Sequence, residues 1–434
     1  MKVAVIALGK IGLPLAVQIA SKGWTVVGAD ASDEVVGLVN AGVPPFPGEA
    51  GLDELLGEAV STGLLTATTD TAEAVSEADH VVVVVPLMTD AGGNPDFTSL
   101  DAATVDIGKG LQAGTLVSYE TTLPVGTTRL RFKPALEEAT DLVAGEGFYL
   151  VHSPERVFSG RIFSDLRRYP KLVGGVDEAS TERAFEFYSK ILDFDDRSDL
   201  TRPNGVWKMA SAEAAELAKL AETTYRDVNI ALANEFARYA EGAGIDAMEV
   251  IEAANSQPFS HIHRPGVAVG GHCIPIYPRF YLAGDPDAAV VAAARMVNSQ
   301  VPARVVATVG EALGGLTGRR ILILGVSYRG GVKEAAYSGV FALRAEIEAG
   351  GGQAVVSDPM YESSELAALG LTPWDGNAVD AFIVQTDHPE YRSMKPGDIP
   401  GISVAYDGRG VLDAEAWRAS GVAFFVIGQG STAR

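Results

Sequence analysis

Cys273 is the only cysteine of the chain. It stands in Val269-Gly270-Gly271-His272-Cys273-Ile274-Pro275, a loop composition poorly suited to helical core packing. A neighbouring imidazole or helix N-terminal amides would favour the thiolate, the form that adds to a carbonyl carbon. The plain alternative is a small buried hydrophobe. A second constellation, Ala7-Leu8-Gly9-Lys10-Ile11-Gly12, follows an apolar run and reads as the dinucleotide fingerprint G-x-G-x-x-G with alanine at its first glycine. Gly9 lets the backbone approach a pyrophosphate, and Gly12 lets a helix pack closely on the strand. Asp30, about twenty residues on, offers a carboxylate to ribose hydroxyls. Ala31 and Ser32 follow it, not arginine, so NAD is expected over NADP.

Three further groups carry polar chemistry. Lys219, Thr223, Arg226 and Asn229 fall at i, i+4, i+7 and i+10 of an alanine-rich helical stretch, forming either a solvated face or a binding stripe. Glu155 and Arg156 come just after the apolar run Phe148 to Val151, where open α/β sheets place ligands, although a surface charge pair would look the same. His261, His263 and Arg264 crowd the loop before Cys273. Their spacing fits no compact zinc pattern and no second cysteine could complete one, so anion recognition is expected and no metal. Asp193, Asp195, Asp196 and Asp199 read as a solvated turn.

The elements that must position these residues are legible as patterns. Val3 to Leu8, a glycine turn, a helical stretch and a second apolar run ending at Asp30 make one βαβ unit. Val81 to Val85 and Thr115 to Ser118 are further continuous apolar runs, as expected of parallel strands buried on both faces. From about Ser211 to Gly242 a long helix is expected, with more helix to about residue 312. The α/β pattern then restarts at Ile321 to Leu324 and Gly325, with Ala354 to Ser357 leading into Asp358. The fold class is therefore α/β: two doubly wound Rossmann-like domains joined by a helical middle. The expected segments are 1–195, 196–312 and 313–434.

Composition narrows the functions. The chain has 434 residues, and 47% are hydrophobic against 21% charged, so it is neither disordered nor repetitive. A formal charge of −22 argues against binding nucleic acid or an anionic membrane. No apolar run approaches the ~20 residues of a membrane span, and no secretory signal is visible, so a cytoplasmic protein is expected.

Taken in order, the motifs resemble the UDP-glucose/GDP-mannose dehydrogenase family, which oxidises C6 of nucleotide-linked hexoses to the uronic acid. The matching segments are Gly12-Leu13-Pro14, Glu120 to Thr128, Ser153-Pro154-Glu155-Arg156-Val157, Lys219 to Glu235, Gly270-Gly271-His272-Cys273, Gly325-Val326-Ser327-Tyr328 and Asp407-Gly408-Arg409. The Pro-Glu-Arg-Val and Arg-Asp-Val-Asn-Ile-Ala segments are most similar to the branch acting on UDP-N-acetylmannosamine or UDP-N-acetylglucosamine. The resemblance implies NAD held by Gly9, Lys10, Ile11, Gly12, Asp30, Pro86 and Thr122, with Cys273, Lys219, Glu155 and Thr122 as the catalytic group. It implies a UDP-linked sugar contacted by Glu155, Arg156, Lys219, Thr223, Arg226, Asn229, His261, Arg264, Gly270, Tyr328 and Arg409, and a homodimer formed through the helical middle. Departures from the family pattern fall at Ala7, Thr223, Phe259, Tyr277 and Ala336. Most of them sit around the sugar and the thioester chemistry, and they leave a single oxidation, to an aldehyde or ketone, as the alternative chemistry.

Overall fold

The computed structural model describes residues 1–90 and 92–430. Among them, the apolar runs of the first half become β1 (Lys2–Ile6), β2 (Thr25–Ala29), β3 (Leu65–Thr68), β4 (His80–Val83), β5 (Leu116–Tyr119), β6 (Tyr149–His152), β7 (Lys171–Gly175) and β8 (Val206–Lys208). They form one sheet in the order β8-β7-β6-β5-β4-β1-β2-β3. Strands β1 to β6 thus follow the order 3-2-1-4-5-6 of dinucleotide-binding folds. Strands β4 and β5 are buried along their whole length, which is why they read as unbroken apolar runs.

The end of this sheet differs from a simple parallel continuation. Strand β7 runs antiparallel to β6, through Val151↔Gly175 and His152↔Gly174, and β8 pairs parallel to β7 beyond residue 195. Gly174 of β7 lets the chain at Ser211 pass close to the strand, since a Cβ there would lie 2.1 Å from the Ser211 carbonyl oxygen.

The chain packs as two compact units, Met1–Glu222 with Arg279–Gly284 and Thr223–Pro278 with Asp285–Arg434. The three segments read from the sequence do not coincide with them. Helix α1 (Ala212–Ala243, 32 residues) belongs to the first unit through Glu222 and to the second from Thr223. The second unit continues with α2 (Ala247–Asn255) and α3 (Ala289–Leu313). Its five-stranded parallel sheet is built from β9 (Arg320–Leu324), β10 (Gln353–Ser357), β11 (Ala381–Val384), β12 (Val404–Asp407) and β13 (Ala423–Val426), in the order β10-β9-β11-β12-β13. Each sheet has its own apolar core. No helix among the described residues is long and apolar enough to cross a membrane.

Candidate active site

In the first unit the strand order reverses between β1 and β4, the place where open α/β sheets bind ligands. The turn after β1 opens directly into the helix Gly12–Ser21. Gly12 is required there, because a Cβ would lie 1.9 Å from the Ala7 carbonyl oxygen and 2.6 Å from Val84 Cγ2. Gly9 faces open space, with nothing within 4 Å of its Cβ position. Ala7 takes φ +77°, the left-handed conformation a glycine would adopt, so the alanine keeps the turn's backbone shape. Asp30 follows β2 and accepts N–H bonds from Leu8 (2.8 Å) and Ser32 (3.0 Å) while staying half-exposed. A helix N-terminus without a side-chain cap, a bare glycine and an accessible carboxylate fit a dinucleotide. Lys10 and Pro86 are exposed at this end of the sheet and Ile11 is half-buried, whereas Thr122 is buried.

Glu155 is one member of a buried charge cluster. Lys171 Nζ donates to Glu155 Oε2 at 2.8 Å and to Glu120 Oε2 at 2.5 Å. Tyr188 Oη lies 2.5 Å from Glu120 Oε1 and 2.7 Å from Ser118 Oγ. Burial pushes the Glu120 carboxyl up to about 7 against the pull of Lys171. Burial acts on Glu155 in the same sense, but the ammonium of Lys171 and the Arg156 N–H outweigh it and hold the acid below its usual range. The Arg156 guanidinium pairs with Glu222 of α1 (2.8 Å), so only the backbone N–H of Arg156 serves the neighbouring acid.

Lys219 is buried on α1. One turn earlier, Glu216 is fully buried and accepts from the Gly126 N–H (2.5 Å), the Thr128 N–H (2.9 Å) and Thr128 Oγ1 (2.7 Å). This ties the segment carrying Thr122 to the helix carrying Lys219. Burial raises Glu216 to about 7 despite those donors. The acidic run ending at Asp199 is an ion-paired surface, not simply a solvated turn: Asp193 meets Lys22, Asp195 meets Arg167 and Asp199 meets Arg197.

In the second unit the cysteine loop is braced from two helices. Asp227 of α1 forms a bidentate pair with Arg295 of α3, and Arg295 Nη1 donates to the Pro275 carbonyl at 3.2 Å. Asn298 Nδ2 donates to Asp227 Oδ1 (2.8 Å) and its Oδ1 accepts from Asn234 Nδ2 (2.9 Å). Asn234 Oδ1 accepts the Gly266 N–H at 3.0 Å. Both flanks of Cys273 are therefore fixed, and the thiol is half-buried and free of any disulfide. The Gly271 N–H donates to the Ala336 carbonyl (2.9 Å), and the Tyr277 N–H to the Cys273 carbonyl (2.9 Å). Gly270 and Tyr328 are brought together, since a Cβ on Gly270 would lie 2.7 Å from Tyr328 Cβ.

Asn229 is a tether: its amide donates to the His261 carbonyl (2.6 Å) and accepts the His263 N–H (2.9 Å). Thr223 is buried and Arg226 half-buried, while His261, Arg264 and Phe259 are exposed. Asp407 accepts four successive N–H groups, from Arg409 to Leu412, and Arg409 Nε donates to the Gln385 carbonyl at 2.6 Å. That explains the Asp-Gly-Arg motif, with Gly408 needed because a Cβ would lie 2.3 Å from Val267.

Sequence reasoning missed Glu120, Lys171, Tyr188 and Glu216 in the first unit, and Asp227, Asn234, Arg295 and Asn298 in the second. Two signals were available. Lys171 opens the otherwise apolar stretch Lys171-Leu172-Val173, and Glu216 precedes Lys219 at helical spacing.

Comparison with known proteins agrees with this layout. Residues 1–192 match the UDP-glucose/GDP-mannose dehydrogenase family, NAD binding domain, and residues 213–300 match that family's central domain. UDP-N-acetyl-D-mannosamine dehydrogenase of Pyrococcus horikoshii is 35% identical over 95% of this chain and 96% of its own. A solved structure of the P. horikoshii UDP-D-ManNAc dehydrogenase superposes with TM-score 0.88, at 32% identity, covering 99% of this chain and 100% of that one. The Methanosarcina mazei NDP-N-acetyl-D-galactosaminuronic acid dehydrogenase gives TM-score 0.84 and 30% identity, covering 99% and 95%. The chain belongs to the UDP-glucose/GDP-mannose dehydrogenase family and is an NAD-dependent nucleotide-sugar dehydrogenase.

Proposed function

We propose that this enzyme oxidises the C6 hydroxymethyl group of a UDP-hexose or UDP-N-acetylhexosamine to the uronic acid in two steps, with Cys273 as the covalent nucleophile. The observation that carries the reading is the Cys273 loop, held at Gly266 and Pro275 by side chains of two helices while its thiol stays unbonded. A loop so fixed suits a nucleophile that must meet an aldehyde carbon in one orientation. UDP-N-acetyl-D-mannosamine is the first sugar to try, because the P. horikoshii relative is named for it.

NAD⁺, when bound, supplies the hydride acceptor for each oxidation. The chain's own groups do the rest. Lys219, or a water it holds, takes the hydroxyl proton as the aldehyde forms. The Cys273 thiolate then adds to the aldehyde carbon to give a thiohemiacetal, whose oxidation leaves a thioester, so the reactive aldehyde is retained. Glu155 takes a proton from water as that water attacks the thioester carbonyl near Thr122, and the C–S bond breaks to return the thiolate. Lys219 stabilises the oxyanion at both stages. Arg409 and Tyr328 serve the nucleotide and the cysteine loop in the C-terminal segment. A homodimer is supported by the exposed apolar face of α1, Tyr225, Leu232, Phe236 and Tyr239.

The test is product stoichiometry with UDP-N-acetyl-D-mannosamine and a panel of UDP- and GDP-hexoses. Two NADH per sugar and a carboxylic acid product are expected, and Cys273→Ser should form no acid while binding NAD normally. One NADH with an aldehyde or ketone product would replace this reading with a single oxidation. Full acid production by Cys273→Ser would remove the covalent step.

A further inference from the structure

The cluster around Lys171 holds two carboxyl groups and one ammonium, all out of water. The Lys171 and Glu120 side chains are 4% and 0% exposed, and that of Glu155 is 10%. One buried cation balances one buried anion, and a second, unbalanced carboxylate would lose its hydration with no charge to offset the loss. The charges beside it are already paired: the Arg156 guanidinium with Glu222, and Asp165, which lines the same cleft, with Arg161. Tyr188, from the helix Glu178–Ile191, lies against both Glu120 and the ammonium, with Lys171 Nζ 4.8 Å from its ring centre. Ser118 of β5 and Ser153 after β6 are neutral hydroxyls, and Ser153 Oγ donates to the Leu172 carbonyl. His152 of β6 is buried, and burial depresses it to about 3, so it stays neutral. Lys219, from α1, is a further cation near this edge, acting on His152.

The two acids are not equivalent. Glu155 lies nearer the surface, and its second oxygen accepts the Arg156 N–H at 2.9 Å, a contact suited to a carboxylate. Glu120 faces Tyr188, whose hydroxyl can reverse direction. When Glu120 carries a proton it donates to Tyr188 Oη, and Tyr188 donates in turn to Ser118 Oγ, with every group still bonded.

We propose that Lys171 and Glu120 are positioning residues for Glu155: Lys171 fixes its orientation and keeps it ionised, and Glu120 holds the one proton that balances the buried charge. This rests on the reading of Glu155 as the base of thioester hydrolysis. It adds that the base is prepared before substrate arrives. When Glu155 accepts the proton of the attacking water, the cluster briefly holds two protons, and the second leaves through the exposed edge of Glu155.

Infrared difference spectroscopy on the intact enzyme tests this without any sugar. At pH 6, wild type minus Glu120→Gln should contain a carboxylic-acid C=O band, and Glu120→Gln minus the double variant Glu120→Gln/Glu155→Gln should contain only carboxylate bands. The opposite assignment overturns the proposal, as would two carboxylates. Glu120→Gln mimics the protonated acid, so it should fold as wild type does. In the double variant Lys171→Met/Glu120→Gln the balancing cation is gone and Glu155 should show the acid band at pH 6. With UDP-N-acetyl-D-mannosamine as probe, the acid limb of thioester hydrolysis in that variant should rise past pH 6, which is at least about a twofold loss of rate at pH 6. Lys171→Arg, keeping the charge, should restore most of it. An unmoved limb would sink the role of Lys171. If Glu155→Gln makes acid at the wild-type rate, Glu155 is not the base, while the infrared assignment of the proton is decided separately.

Discussion

At the end of β1, Ala7 takes φ +77° and donates its N–H to the Ala29 carbonyl at 2.7 Å. At the end of β9, Gly325 takes φ +101° and donates to the Ser357 carbonyl at 2.7 Å. The next residue in each case donates to the acid that follows the second strand: Leu8 to Asp30 Oδ2 at 2.8 Å, Val326 to Asp358 Oδ2 at 2.6 Å. The backbone device is the same, but the acids differ. Asp30 is half-exposed and keeps capacity for a ligand. Asp358 is buried and also accepts from the Ser327 and Met360 N–H groups and from His388 Nε2 at 3.0 Å. Burial alone would raise Asp358, yet His388 and those donors hold it below its usual range. The first turn leads straight into a helix at Gly12, so a ligand there meets helix N–H groups. In the second, a loop separates the turn from the helix Gly339–Ala349, and that loop packs against Gly270 and Gly271. Equivalent turns thus differ in what they leave free: the first keeps its acid and helix N-terminus accessible, and the second supports the cysteine loop.

The comparison breaks most sharply at Gly325→Ala. Alanine is accommodated at the matching position 7, but at 325 its Cβ would lie 2.3 Å from both Cβ and Oγ1 of Thr386, at a left-handed backbone. A stability loss of about 3 kcal/mol or more is expected from clash and strain together. Chemical denaturation of the purified enzyme would measure it, and a loss near 1 kcal/mol would mean that the second turn relaxes as freely as the first.

The next effect separates the two acids by function. Asp30→Ala should weaken NAD binding by about 2 kcal/mol, roughly thirtyfold, because a carboxylate hydrogen bond to ribose is lost. Titration calorimetry with NAD would read it, with the melting temperature of the free enzyme falling only slightly. Asp358→Ala should do the reverse, lowering stability with the intrinsic NAD affinity of the folded fraction retained. Equal losses of NAD affinity in both variants would erase the distinction.

Much of this architecture was legible in the chain. Buried parallel strands must be apolar on both faces, so β1, β4, β5 and β9 stood out, and the glycines after β1 marked the turn into the first helix. The unreadable parts depend on contacts distant in sequence. Glu120 and Lys171 meet across 51 residues, and Asp227 and Arg295 across 68, with no local pattern linking them. The antiparallel β7 was hidden because a strand's direction is set by its partner, not by its own composition. Asn229 looked like a binding residue because a helix position reveals which face it occupies but not that a loop covers it.

The smallest change sharpens the comparison from the other side. Ala7 occupies a conformation that costs an L-residue with a Cβ about 1–2 kcal/mol, and Gly325 shows that the same device works with glycine. Ala7→Gly relieves that strain but gives the unfolded chain more freedom, an opposing term of about 0.4–1 kcal/mol. The net should be a stabilisation of about 0.5–1 kcal/mol, seen as a higher denaturation midpoint at unchanged m-value. NAD affinity should stay within about twofold, or 0.4 kcal/mol, because the turn's shape is already that of a glycine. Lower stability would show that the Ala7 methyl packs favourably enough to outweigh its backbone strain. A marked gain in NAD affinity would show instead that the alanine holds the turn away from its best fit to the cofactor.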